Sequence, residues 1–151
     1  NFSGFDQLHD KDGAAGEGKV EGGFDSGVFE EILRDALSIY DRDRFIPYKP
    51  RVKLIKGDIC QTLPRFVQET PGLRLCLVHF DVDLYEPTKT GLEHLWDLVV
   101  PGGIVLFDEY SLRPWEGESK AVDEFFKGKK IEIKRFDWCP NPGGYIIKET
   151  M

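Results

Sequence analysis

Apolar positions along the chain recur with two periods. In "DSGVFEEILRDALSIY", residues 25–40, Val28, Phe29, Ile32, Leu33, Ala36 and Leu37 follow the i, i+3/i+4 spacing of an amphipathic helix, with Asp25 or Ser26 placed to cap it. "RVKLIKGD", 51–58, sets Val52, Leu54 and Ile55 against basic residues and stops at Gly57, as a strand would. A short helix through Leu63, Phe66 and Val67 follows. "LRLCLVHFDVD" is a nearly unbroken apolar run, which predicts a strand covered on both faces at the centre of a parallel sheet. Pro87 suits a first helical turn, Leu92, Leu95, Trp96 and Val99 form the stripe of that helix, and "PGG" at 101–103 is its predicted stop. "IVLFDEY" reads as the next buried strand. A helix opening at Glu118 or Ser119 turns Ala121, Val122, Phe125 and Phe126 inward. "IEIKRFDW" and "GGYIIKE" then read as two antiparallel strands joined through a Pro/Gly turn. The first 23 residues predict a short strand, "NFSGFD", and a mobile, charged, Gly-rich loop, "HDKDGAAGEGKVEGG".

Strands alternating with helices imply an α/β domain with a mostly parallel sheet, helices on both faces, and an antiparallel pair at the C-terminal end. A length of 151 residues suits one domain, 1–151. Hydrophobic residues at 40% and aromatics at 13% exclude a disordered chain, and no apolar run is long enough to span a bilayer. The formal charge of −7 disfavours nucleic acid or an anionic membrane as partner and suits a divalent cation. Cys60, Cys76 and Cys139 are widely spaced and odd in number, which points to neither a disulfide framework nor a zinc site and is natural in a reducing cytoplasm. The chain opens on Asn1 without a signal peptide, as a trimmed sequence would.

Open parallel sheets gather ligands at the carboxyl ends of their strands. Acids stand at four predicted strand ends: Asp6, Asp58, Asp81 with Asp83, and Asp108 with Glu109. Any one of them alone is explained by helix capping or a local turn. The doublets FDVD and FDEY are not, because one cap per helix suffices. Clustered carboxylates repel one another unless a cation or hydrogen-bond donors sit among them. Mg²⁺ prefers near-octahedral oxygen ligands, and Asp81, Asp108 and Glu109 are the candidate set. "GAAGEG", 13–18, superficially resembles a Gly-rich phosphate loop but lacks the strand-turn-helix context and reads as a surface loop.

Three segments, "VKLIKGDICQTLPRF", "LVHFDVDLYEPTKTGLEHLWDLVVPGGIVLFDEYS" and "WEGESKAVDEFF", resemble the macrocin O-methyltransferase family over most of residues 51–127. The resemblance implies a Rossmann-like class I methyltransferase that uses S-adenosylmethionine and Mg²⁺ to methylate hydroxyls of sugars or other small natural products. By position it implies metal ligation by Asp81, Asp108 and Glu109, with Asp-Glu where the family commonly has Asp-Asp. It assigns the cofactor's ribose to Asp6 and its adenine amine to Asp58. Asp83 is the preferred general base, with His79 as the other candidate, and Tyr85, Tyr110 and Trp115 are candidates to line an acceptor pocket. The family's first strand and its Gly-rich turn have no counterpart ahead of "NFSGFD", so the chain is expected to be the C-terminal part of a longer methyltransferase. The competing readings are a DxD glycosyltransferase using Mn²⁺ and a non-catalytic methyltransferase-like module. The expected partner is a small-molecule hydroxyl acceptor; self-association is open.

Overall fold

A computed structural model describes residues 2–14 and 18–149. Four helices, α1 (Phe29–Arg42), α2 (Ile59–Glu69), α3 (Tyr85–Leu95) and α4 (Glu116–Phe126), accompany three strands, β1 (Leu75–Phe80), β2 (Val99–Phe107) and β3 (Gly144–Ile147). The strands form one sheet in the order β1-β2-β3, with β1 and β2 parallel and β3 antiparallel to β2. This is the α/β class expected, with its antiparallel C-terminal end.

Burial explains the arrangement. Val78 and Phe80 of β1, Val105 and Phe107 of β2 and Ile146 of β3 point to one face, where Leu92 and Trp96 meet them from α3 and its extension, and Val122 and Phe126 from α4. Each fully buried aliphatic or aromatic side chain in this layer contributes about 1.5–3 kcal/mol. Phe80 and Phe107 stack at 5.4 Å between centroids, and Trp96 meets Phe126 edge-on at 4.8 Å.

Several expectations are corrected. β1 lies at the sheet edge with Leu77 54% exposed, because residues 51–58 and 2–6 do not pair with it. A strand is stable when it has a ladder and a packed face; the 51–58 segment has neither, and Val52 and Ile55 are exposed. "NFSGFD" joins no sheet strand: Ser3 bridges to Asp25 and Phe5 exchanges backbone hydrogen bonds with Gly22 and Gly23, while Asn1 lies outside the described residues. "IEIKRFDW" is reduced to Lys134, which exchanges two backbone hydrogen bonds of 2.8 Å with Tyr145. Helix α1 forms where its periodicity predicts, but none of its residues is buried, so its apolar stripe faces outward; its cap position is Val28 rather than Asp25 or Ser26. The "PGG" segment belongs to β2: the pairing runs Leu75 to Val99 and then Leu77 to Ile104, so these residues bulge out of the ladder. Proline has no N–H for the ladder, which favours a bulge there. Helix α3 ends earlier, at Leu95, and α4 begins earlier, at Glu116.

The N-terminal segment departs most from expectation. Asp12, in the loop predicted to be mobile, is buried, and its Oδ1 accepts the N–H of Tyr85 at 2.6 Å while its Oδ2 accepts that of His9 at 2.7 Å. Leu84, at the cap position of α3, has no side chain to do this. Asp12 therefore caps α3 from 73 residues away. Lys11 Nζ adds bonds to the Tyr85 hydroxyl at 2.9 Å and to Glu124 at 2.7 Å, and Lys120 Nζ donates to the Lys11 carbonyl at 2.6 Å. Gly117 makes room for this: a Cβ there would sit 2.0 Å from Asp12 Oδ1. Asp12→Ala strips the buried Tyr85 N–H and the part-buried His9 N–H of their acceptor and should destabilise the chain by about 1–3 kcal/mol. Urea denaturation checks this, and a midpoint equal to wild type would remove the cap.

Candidate active site

The parallel register sets the site. Phe80 pairs with Phe107, and the Asp108 N–H donates to the Phe80 carbonyl at 2.9 Å, so Asp81 and Asp108 leave neighbouring strands on one edge. Beyond Asp81 the chain turns tightly: the Leu84 N–H reaches the Val82 carbonyl at 2.5 Å, with Asp83 between them at φ 60°. A three-residue turn with a left-handed centre is strained, and such strain concentrates at functional sites. Aspartate tolerates that backbone better than most side chains. The turn brings the chain directly into α3.

A cavity of about 940 Å³ opens beside this edge, large enough for a cofactor and part of a second ligand. Asp81, Asp83, Leu84 and Glu86 line one side, Asp58 and Cys60 at the start of α2 another, and Phe5, Asp6 and Phe24 of the N-terminal segment a third. Four sequence-predicted site residues, Asp6, Asp58, Asp81 and Asp83, thus share one cavity although Asp6 and Asp58 do not follow strands. Asp58 is also the cap of α2: its Oδ1 accepts from the Cys60 N–H at 2.8 Å and its Oδ2 from Gln61 at 3.1 Å. A carboxylate with about four lone-pair sites keeps acceptor capacity beyond those two bonds.

Asp108 and Glu109 lie next to this edge. His79 is exposed, and its Nε2 is 3.0 Å from Asp108 Oδ1. Burial, then the charges of Asp81 and Asp108, push Asp83 up to about 6. Burial, with Asp83, Asp108 and Asp81 behind it, pushes Glu109 up to about 7. The donors are all oxygen, which suits a hard cation. Their spacing does not close round one point: among the described residues no three His, Cys, Asp or Glu side chains are grouped to hold a metal ion. Tyr85 and Tyr110 are not acceptor-pocket residues here. Tyr85 is buried with its hydroxyl donating to Glu124 at 2.8 Å, and Tyr110 donates to Asp123 at 2.8 Å. Trp115 instead packs against two cavity residues, Phe5 at 6.1 Å and Phe24 at 5.9 Å.

The model of the macrocin O-methyltransferase family (TylF) matches residues 15–140. The chain belongs to that family. Among solved structures it is similar to the calicheamicin methyltransferase CalS11, with 31% identity and a TM-score of 0.88 over 97% of this chain and 57% of that one. The apo form of CalS11, described as a TDP-rhamnose 3'-O-methyltransferase of calicheamicin biosynthesis, matches with 31% identity and a TM-score of 0.74 over 80% of this chain and 53% of that one. A Streptomyces olivaceus protein, the 8-demethyl-8-(2,3-dimethoxy-alpha-L-rhamnosyl)-tetracenomycin-C 4'-O-methyltransferase, is 37% identical over 62 residues, 41% of this chain and 22% of that protein. The chain therefore spans little more than half the length of the matched CalS11 structures. Family membership sets aside the glycosyltransferase reading of the DxD spacing. Of the "GAAGEG" stretch, residues 15–17 lie outside the described residues.

An acid beside this cluster escaped the sequence reading. Glu118 is fully buried behind the acid cluster; its Oε1 accepts the Glu109 N–H at 2.8 Å and its Oε2 has no partner among the described residues. It had registered only as a helix start, and no local pattern marks it as buried. Burial, and less strongly the charges of Glu109, Asp83 and Asp108, push it up to about 8, against a bond from the Glu109 backbone that lowers it. An unfolded chain releases that proton near 4.5, so the folded state holds an extra proton between about 4.5 and 8. This contribution to stability is full below 4.5 and is lost as pH rises through about 8. Glu118→Gln cannot ionise, keeps an acceptor for Glu109, and in EDTA should melt above wild type at pH 8 by about 3 °C or more. Parallel melting curves from pH 5 to 8 would contradict the assignment.

Proposed function

We propose that this chain carries the acceptor side, and part of the cofactor side, of an S-adenosylmethionine-dependent O-methyltransferase acting on a sugar hydroxyl in a small natural product. The observation that carries the reading is the single cavity joining Asp6 and Asp58 to Asp81 and Asp83 at the carboxyl end of a parallel strand. The rhamnose named for CalS11 and the rhamnosyl group named for the Streptomyces protein favour a deoxyhexose of that type. Three free cysteines fit a cytoplasmic protein. Among the described residues no helix is long and apolar enough to cross a membrane.

The residues divide the work by position. Asp6, exposed on the cavity wall, would accept the two ribose hydroxyls, and Asp58 would accept the adenine amine with the lone pairs its cap leaves over. Bound S-adenosylmethionine would supply a methyl carbon that leaves sulfur as its bond to the acceptor oxygen forms. Asp83 takes the hydroxyl proton. Its fixed turn holds the carboxylate at the cavity wall, so orientation is settled before the acceptor arrives. Asp81, Asp108 and Glu109 are oxygen donors of the kind a divalent cation takes, but they do not converge on one point, so no step is routed through a metal.

Asp83→Asn keeps the size and turn of the residue and removes the base. Methyl transfer from labelled S-adenosylmethionine to methyl α-L-rhamnopyranoside should fall by about 10²–10⁴-fold in this variant, with binding of S-adenosylhomocysteine unchanged. Undiminished turnover in Asp83→Asn would overturn the base.

A further inference from the structure

The cavity that gathers these acids also has an aromatic part. Phe5 and Phe24, from the N-terminal segment, meet edge-to-face at 5.5 Å, and Trp115, from the loop before α4, completes the trio at 6.1 and 5.9 Å. Phe5 and Phe24 line the cavity. Phe24 is the unusual member. Its ring is 61% exposed although water is the costly place for it, and its backbone is left-handed at φ 58°, a conformation that bulky side chains avoid. Two features hold it there. Gly18 leaves space for the ring, since a Cβ at that position would be 2.9 Å from the ring's Cζ. The buried Lys19 ties the two loops together, donating to the carbonyls of Asp12 at 2.7 Å and of Pro114, with its Nζ 5.6 Å from the Trp115 ring and 3.6 Å from Glu116 Oε2. The fold therefore maintains a strained, exposed aromatic face at the cavity wall rather than folding it away.

Resting on the methyltransferase reading, we infer that Phe5 and Phe24, backed by Trp115, form a stacking subsite for a planar aromatic group covalently joined to the acceptor sugar. The sugar's hydroxyls belong with the carboxylates of Asp81 and Asp83, which accept hydrogen bonds, and the flat ring belongs with the faces of Phe24 and Phe5, which accept none. The planar group has two sources: the aromatic aglycone of a glycoside, or the base of a nucleoside diphosphate sugar. The acidic residues lining the cavity, Asp6, Asp12, Asp58, Asp81, Asp83 and Glu86, disfavour a diphosphate and favour the uncharged glycoside.

The test is calorimetric titration of three probes into the 151-residue chain with S-adenosylhomocysteine present: 4-nitrophenyl α-L-rhamnopyranoside, thymidine diphospho-L-rhamnose and methyl α-L-rhamnopyranoside. Phe24→Gly removes the ring and suits the left-handed backbone, so it leaves folding intact; Phe24→Tyr restores a ring. The nitrophenyl glycoside should lose roughly tenfold in affinity in Phe24→Gly and recover in Phe24→Tyr, while the methyl glycoside does not change. A ring-dependent loss seen only with the nucleotide sugar also supports the subsite and identifies its source as the base. Equal losses for aryl and methyl glycosides, no loss for any probe, or no binding of either ring-bearing probe to wild type would overturn it. Absence of S-adenosylhomocysteine binding in the same wild-type sample would instead overturn the methyltransferase reading beneath it.

Discussion

The parallel pairing of β1 with β2 is the constraint on which the rest of the molecule depends. Because Phe80 aligns with Phe107, two strands end side by side and each delivers its first polar residue, Asp81 or Asp108, to the same edge. The same register turns Val78, Phe80, Val105 and Phe107 to one face, so α3 and α4 pack there and the edge is held rigidly. A one-residue slip would put those apolar side chains on the open face and separate the two aspartates.

Gathering carboxylates at that edge has an electrostatic cost, and the fold meets it locally. His79 stands 3.0 Å from Asp108, while Asp83, Glu109 and Glu118 hold their protons to higher pH than free acids do. The N-terminal segment completes the cavity from above. Asp12 caps α3 and Lys19 joins the two loops that carry the aromatic wall, so a stretch rich in glycine and charge is fixed by two buried polar side chains whose bonds are satisfied. An acidic wall and an aromatic wall then face one space, the division expected of a site for a molecule with a hydroxylated half and a flat half.

What the sequence disclosed was what local pattern encodes. The helices from 59 onward, the two apolar strands and the acids that end them are each written within about a dozen residues, in periodicity, turn residues and the DxDLYEPT and PGG-strand-acid motifs. Strand formation at 51–58 was misread because alternation specifies a strand only when a partner edge is present, and β1's outer edge is unpaired. Helix α1 has the periodicity of a buried helix without a surface to bury it. Asp12, Lys19 and Glu118 were missed for a different reason. Asp12 and Lys19 acquire their roles from Tyr85 and Pro114, far along the chain, and Glu118 from the Glu109 N–H in the preceding loop, so polar residues inside "HDKDG" or "WEGES" look solvated until those partners arrive. Asp83 was recognised from its motif, but its left-handed turn could only be seen in the structure.

The central claim is that the cavity between Asp6, Asp58, Asp81 and Asp83 holds the methyl donor. Calorimetric titration of S-adenosylhomocysteine into the folded 151-residue chain, and into Asp6→Ala, addresses it directly. Saturable binding at one site, weakened roughly tenfold or more when the ribose acceptor is removed, is the predicted result. No saturable heat from a chain that shows a cooperative thermal transition, or equal affinity in wild type and Asp6→Ala, would contradict it.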